Sequence, residues 1–533
     1  MSDIASGYGQ PLSHQPLPRP QGHARWSLND LSTELLTLIL EQLRDLDARS
    51  IATARLVSRR FDHLAIPIAY NELALTDRVL DPDFERGFPR VLQHIYAHTN
   101  HVIVRSNLNP GRTKAFLERI HQLSTVRWRY VDRSLRSGHY WVPWDILNPE
   151  QTRHHNTRLY VENLPLLSFD SEPYNFYLRA IPVLLLVSLK MPHPTPPLVT
   201  RLNSLKQLLL AARRLETLHF EDRGQGTQFT FEGAERLPPL RELSLRSYDW
   251  RHSPEEVARH WDFSRITKLQ LVSVPVFSFM SSVNYLDLAN LHTLHCEDFS
   301  AHLPDLRQEA TAALYVLIKN YVRALSTLSI NVHTAQFPVD ALLSHAHSLT
   351  SLRLRDYTGF GEEDRRCPTL YHADVLLLSQ HLQHLHTLEL DMDTAYTDSP
   401  AFLRAICCFP ALHTLTLHVQ TVIRPYETIL EGQVDRDYEV AMSTLQFLVS
   451  TRHAVGGPAW RSITINVGGW KRVMVRRLNE AWRSLNDRGI FAERCFVLES
   501  DCSTGQLSFR EEVPIEASRA STPEQVQDLD ERR

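Results

Sequence analysis

The sequence predicts an α/β chain in which a small helical module precedes a long solenoid with a parallel sheet on its concave face, and three observations predict it. A pattern L-x-x-L-x-L recurs from Leu215 to Ile465 at a spacing near that of stacked repeats. Helix-start signals fall between the recurrences. Ahead of them, Trp26 to Ala69 has helical spacing with an apolar arc too wide for one buried stripe.

Residues 1–25 are rich in Pro, Gln, Ser, Gly and His, hold no apolar core of a signal peptide and are expected to be disordered. The helical module follows over 26–75. Within it Leu31, Leu35, Leu38 and Gln42 share one side of a helix, while Leu36, Ile39, Leu40 and Leu43 share a neighbouring side. An ordinary helix buries one face against its own core, so a second surface is expected to cover the other, and that surface is assigned to another protein. The structural alternative is a small helical domain packed wholly within the chain.

From Asn71 a strand-helix-strand rhythm begins, with strands at Asn71–Leu75 and Val102–Val104 and a helix at Phe88–His98, and 76–180 holds early repeats and an irregular junction. An aromatic-rich stretch over 126–177, including Trp128, Tyr130, Trp144 and Tyr160, interrupts this rhythm and reads as an irregular junction. The apolar run Ala180–Leu189 contains Pro182 and is too short for a membrane helix, so it reads as a buried strand.

The repeats dominate 181–505. They are Leu215-Leu218-Phe220, Leu240-Leu243-Leu245, Ile266-Leu269-Leu271, Leu291-Leu294-Cys296, Leu325-Leu328-Ile330, Leu349-Leu352-Leu354, Leu385-Leu388-Leu390, Leu412-Leu415-Leu417 and, more loosely, Trp460-Ile463-Ile465. Successive starts lie 25, 26, 25, 34, 24, 36, 27 and 48 residues apart. Ser253-Pro254-Glu255-Glu256 predicts a capped helix, and Ser399-Pro400 opens another over Ala401–Phe409. A lone repeat cannot bury its leucines, so the units must stack. An amphipathic helix at Arg472–Asp487 and a strand at Glu493–Leu498 are expected to close the stack, and 506–533 to form a disordered tail.

Strand alternation sends the residues flanking the inner leucines to the concave face. Nearly all of them are polar, from Thr217, His219 and Glu221 to Ser462, Thr464 and Asn466. In stacked register Glu389 lies beside Arg353 and Asp391 beside Arg355. These four either neutralise one another or form a mixed-charge patch where a target protein docks.

Two resemblances follow from these residues. Leu28, Leu31, Glu34-Leu35-Leu36, Ile39-Leu40, Leu43 and Leu46, then Leu56-Val57-Ser58-Arg59-Arg60-Phe61 and Leu64, resemble an F-box, a three-helix module; Ser32 stands where that family usually has proline. The repeats resemble leucine-rich repeats without their asparagine ladder, whose place is taken by Arg223, Tyr248, Val274, Phe299, His333, Tyr357, Asp393, Gln420 and Gly468. The fold so implied is an N-terminal three-helix F-box followed by an irregular leucine-rich-repeat solenoid. The function implied is that of a non-catalytic substrate receptor in a Skp/cullin/F-box ubiquitin ligase. The resemblance assigns Leu31, Leu35, Leu36, Ile39, Leu40, Leu43, Val57 and Phe61 to the contact with a Skp-type adaptor, and through it a cullin, while the repeats take a protein target. The alternative is an interaction scaffold with no part in ubiquitin transfer; an enzyme on an α/β sheet is the third reading.

Composition adds limits. The 533 residues carry a formal net charge of -4 and only 22% charged residues, which gives no field for nucleic acid or an anionic membrane. Six cysteines without C-x-x-C spacing point to a reduced protein of the cytoplasm or nucleus. Phosphate-cradling, nucleophile-elbow and zinc-protease motifs do not occur, and His381, His384 and His386 read as surface histidines. Neither metal nor cofactor is expected.

Overall fold

The computed structural model describes residues 28–131, 143–148, 156–164, 176–191, 202–222, 227–298, 304–356, 369–393, 398–419, 435–467, 494–501 and 506–512. The expected disordered segment 1–25 and the expected helix Arg472–Asp487 lie outside them. The chain divides into two compact units: one holds residues up to 73 with 83–100 and 120–122, the other 74–82, 101–119 and 123 onward.

The first unit is helical. Helices α1 (Thr33–Leu46), α2 (Ala48–Ala54) and α3 (Arg59–Tyr70) each begin at a side chain that accepts an otherwise orphaned amide. Ser32 Oγ accepts from Leu35 N–H at 3.3 Å, Asp47 Oδ1 from Arg49 N–H at 3.0 Å and Ser58 Oγ from Phe61 N–H at 3.2 Å. Ser32 thus starts α1 by capping it. Leu36 and Leu40 of α1 meet Ile51 and Ala54 of α2 and Phe61, Ala65 and Ile68 of α3 in one core, with Leu31, Leu43 and Leu64 packed at its margin. Arg60 Nη2 donates to Leu31 O at 2.8 Å, and Arg55 pairs with Asp62 at 2.8 Å, fixing the helices' relative positions. Two short helices follow, α4 (Pro82–Gly87) and α5 (Pro89–His98); α5 stacks His94 on Tyr70.

The second unit is built on a mixed α/β plan. Among the described residues sixteen strands form one sheet in sequence order, not closed into a barrel, and all but the first lie wholly in this unit. They are β1 (Glu72–Ala74), β2 (His101–Arg105), β3 (Thr125–Arg129), β4 (Arg158–Glu162), β5 (Leu186–Met191), β6 (Thr217–Glu221), β7 (Glu242–Arg246) and β8 (Lys268–Val274). There follow β9 (Thr293–Asp298), β10 (Thr327–Val332), β11 (Ser351–Asp356), β12 (Thr387–Met392), β13 (Thr414–Val419), β14 (Ser462–Val467), β15 (Arg494–Ser500) and β16 (Leu507–Glu512). From β2 to β14 every pairing is parallel.

Each repeat unit contributes one strand in the predicted register: Leu218, Leu243, Leu269, Leu294, Leu328, Leu352, Leu388, Leu415 and Ile463 stand in one buried row. Between strands run helices, including Pro254–His260. Its predicted capping box is present, with Ser253 Oγ accepting from Glu256 N–H and Glu256 Oε2 from Ser253 N–H. The other predicted helix spans Ser399–Cys407.

Three expectations are corrected. The rhythm is not broken over 126–177, because β3 and β4 continue the parallel ladder with Val126, Trp128, Leu159 and Val161 turned inward and buried. Ala180–Leu189 is not one strand: Phe176–Ala180 is helical, and β5 begins at Leu186, past Pro182, which has no N–H for a ladder. The expected disordered tail begins with a strand, β16, held to β15 by stacking of Phe509 on Phe496 and by the Arg494–Glu511 and Arg510–Glu499 ion pairs. The strand expected over Glu493–Leu498 is present as β15; it pairs antiparallel with β14 and β16, so the parallel run ends at β14. Among the described residues no helix is long and apolar enough to cross a membrane.

Candidate functional site

Two surfaces stand out, one on each unit. On the helical unit the structure sorts the eight predicted adaptor residues into three groups. Leu36, Leu40 and Phe61 are core, and Leu36 and Leu40 are each 1% exposed. Leu31 and Leu43 lie at the core margin. Only Leu35 (50% exposed), Ile39 (45%) and Val57 (64%) are offered to solvent. Sequence reasoning left out Leu38, Leu46, Leu28 and Leu56, all exposed as well. The signal for Leu38 and Leu46 was helical spacing: 35, 38, 39 and 46 fall on one face of α1, beside the core pair 36 and 40. A face this apolar next to a complete core is unusual for a monomer.

On the sheet unit the outward residues stand in registered rows. Residues Glu162, Lys190, His219, Ser244, Gln270, His295, Ser329, Arg353, Glu389, Thr416 and Thr464 form one row. The two predicted pairs occur. Arg353 Nε donates to Glu389 Oε1 at 2.8 Å, and its Nη1 to Glu297 Oε1 at 2.9 Å. Arg355 meets Asp391 Oδ1 through Nε at 3.0 Å and through Nη2 at 2.9 Å. His418 Nε2 lies 2.8 Å from Glu389 Oε1, and Asp391 Oδ2 accepts from Asp356 N–H at 2.8 Å. Asp356 in turn accepts from the amide and hydroxyl of Thr334 and pairs with Arg307.

Arg353, Glu389, Arg355 and Asp391 thus pair across adjacent strands, as expected of the neutralising alternative. Arg355, Asp391, Glu297, Asn331, His418 and Asn466 are buried, so this second outward row of β9–β14 is covered, while the row from His295 to Thr464 is half-buried. Burial works to raise the Glu389 carboxyl, but the Arg353 guanidinium and the bond from His418 outweigh it and hold Glu389 below its ordinary value. Burial, aided by nearby Arg355, pushes His418 down. Charges this well matched lock neighbouring strands together; breaking one partner would strand the other in a dry setting.

Among the described residues no three His, Cys, Asp or Glu side chains gather closely enough to hold a metal ion. Of the predicted surface histidines, His386 stacks on His413 with centroids 5.3 Å apart. The vicinal cysteines are free thiols: Cys407 is buried and pushed up to about 11 by that burial, while Cys408 is exposed. A scan against protein-family models finds no matching model, and a search of curated proteins finds no match.

Proposed function

We propose that the chain is a non-catalytic substrate-recognition subunit of a Skp/cullin/F-box ubiquitin ligase. The helical unit binds a Skp-type adaptor, and the outward face of the sheet takes the target protein. One observation carries this reading: Leu35, Leu38 and Ile39 line one exposed face of α1, while the core beneath is filled by Leu36 and Leu40. Covering such side chains recovers about 25 cal/mol per Å² of apolar surface, a gain that only a partner can supply. The free thiols Cys296, Cys407, Cys408 and Cys495 support a reducing compartment, cytoplasm or nucleus.

The test is capture of a purified Skp-type adaptor by the full chain and by a Leu35→Asp, Ile39→Asp variant. Both residues are exposed, so the variant keeps its helical signal. Its adaptor affinity is expected to fall by more than about a hundredfold, since two carboxylates would enter an apolar contact. Equal binding by a folded variant sinks the reading. Recruitment of a cullin by the adaptor complex then separates a ligase receptor from a scaffold.

A further inference from the structure

We propose that the outward face of β4–β8 holds a binding site for an acidic side chain of the target, with the Lys190 ammonium as its counter-ion. The proposal rests on the target-binding role given above to the sheet and supplies its chemistry. A cavity of about 250 Å³ opens there, walled by Glu162, Lys190, Glu221, Ser244, Arg246 and Gln270.

The charges lining it are unequally matched. Arg129 and Arg127 hold Glu162 at 2.9 Å and 3.4 Å, and Arg246 lies 3.6 Å from Glu221. Lys190 stands half-buried between them, and its ammonium has no hydrogen-bond or ion-pair partner among the described residues. Two cations and two carboxylates line the cavity, but Glu162 is already held by Arg127 and Arg129 from outside the lining, which leaves Lys190 over. Gln270 Oε1 accepts from Ser244 Oγ at 3.2 Å, which leaves the Gln270 amide N–H₂ as a further donor toward the cavity. Such an imbalance is absent on β11–β13, where Arg353 and Arg355 are each bonded to a carboxylate.

A surplus cation beside unused donors in a partly enclosed cavity attracts an anion more strongly than the same groups in open water. The walls favour a carboxylate over a phosphate. Glu162 and Glu221 repel a dianion about twice as strongly as a monoanion, and their remaining lone pairs can accept N–H groups of the peptide carrying the acid. An Asp or Glu on a peptide segment fits both demands.

The test selects a random dodecamer display library on the purified full chain and counter-selects on a Lys190→Glu variant. Anisotropy with labelled synthetic copies of the winners follows, using wild type and Lys190→Gln, whose equal melting confirms folding. Winners are expected to share an Asp or Glu. Changing that acid to its amide, or Lys190 to Gln, should weaken binding roughly tenfold to a hundredfold, and making both changes should add little more. The proposal is overturned if no peptide is enriched, if binding ignores Lys190 or the acid, or if phosphoserine in place of the acid binds more tightly. Its failure is separable from that of the receptor reading. Adaptor capture without an acidic-peptide preference removes only this site; an acidic preference without adaptor capture removes only the receptor.

Discussion

Replacing Arg452 with alanine should loosen the sheet unit more than any surface change. Arg452 lies near the end of the helix Arg436–Val455 and is 2% exposed. No carboxylate meets it among the described residues. Its guanidinium instead donates to the carbonyls of Cys407, Phe409, Leu412 and Pro458 and lies over Trp460, 5.1 Å from the ring centroid. Cys407 ends the helix Ser399–Cys407, so the cation faces the negative end of that helix dipole. A hydrogen bond from a charged group contributes about 1.5–3 kcal/mol, and four carbonyls lose their donor together. Water re-satisfies part of this, leaving an expected loss of about 4 kcal/mol, in the upper tail for a single substitution.

Gly457 supplies the control. A Cβ there would lie 2.6 Å from Arg452 Nε and 2.7 Å from Cζ. Gly457→Ala should therefore cost about 2 kcal/mol in wild type and close to nothing beside Arg452→Ala. Hydrogen exchange of amides in Ser399–Cys407 and Arg436–Val455 is the assay, because a chain of two units has no single unfolding transition. A loss below about 1 kcal/mol, or equal Gly457→Ala costs in both backgrounds, refutes the strut.

Two further predictions follow from buried titratable groups. His345 Nδ1 accepts from Leu325 N–H at 3.2 Å while Nε2 donates to Ile318 O at 2.9 Å, so both ring nitrogens are satisfied in the neutral form. Burial holds its pKa below the ordinary histidine value of 6.5 against the weaker pull of the Ile318 carbonyl. The unfolded chain therefore takes a proton that the folded chain resists, and stability is full above 6.5 and falls as the pH drops below it. Hydrogen-exchange protection of amides in Thr327–Val332, converted to free energy at several pH values, should show this slope in wild type and a shallower one in His345→Gln; equal slopes would place the acid sensitivity elsewhere. For the cysteines, native maleimide labelling read by mass spectrometry should modify Cys408 and spare Cys407, and rapid labelling of Cys407 would contradict its burial.

The repeat register was legible because strand periodicity is strict: one slip would bury Thr217 and its counterparts and expose Leu218 and Phe220. Two strands ahead of the leucine repeats, β3 and β5, carry the same signal in other letters. Leu123-x-x-Val126-x-Trp128 fills the repeat positions with Val and Trp, and Leu186-x-x-Leu189-x-Met191 does so with Met; all six residues are buried. A search for leucine alone passed over them, although the inward row asks only for apolar volume. On α1 the same distinction recurs. Leu35 and Leu36 are identical in type, and only the neighbouring helices, through Ile51 and Phe61, decide which of them is core.

Alternation tells which side of a sheet a residue faces and is silent about what covers that side. Arg355 and Asp391 were placed correctly on the outward face and are buried there all the same, because each satisfies the other and so can leave water. Polarity of a row is thus a poor guide to its availability. Partnering is the better one, and it depends on adjacent strands that are far apart in sequence: Arg353 is matched by Glu297 and Glu389, one 56 residues before it and the other 36 after. Lys190 escaped notice in the sequence for the same reason, since a lone lysine in LVSLKM carries no motif. Its meaning emerges only when Glu162 beside it is seen to be held by two arginines of β3, leaving the lysine as the cation with nothing to neutralise it. A recognition site on such a sheet is therefore to be sought where the charge pairing leaves a remainder, in β4–β8, and not where charged residues are densest.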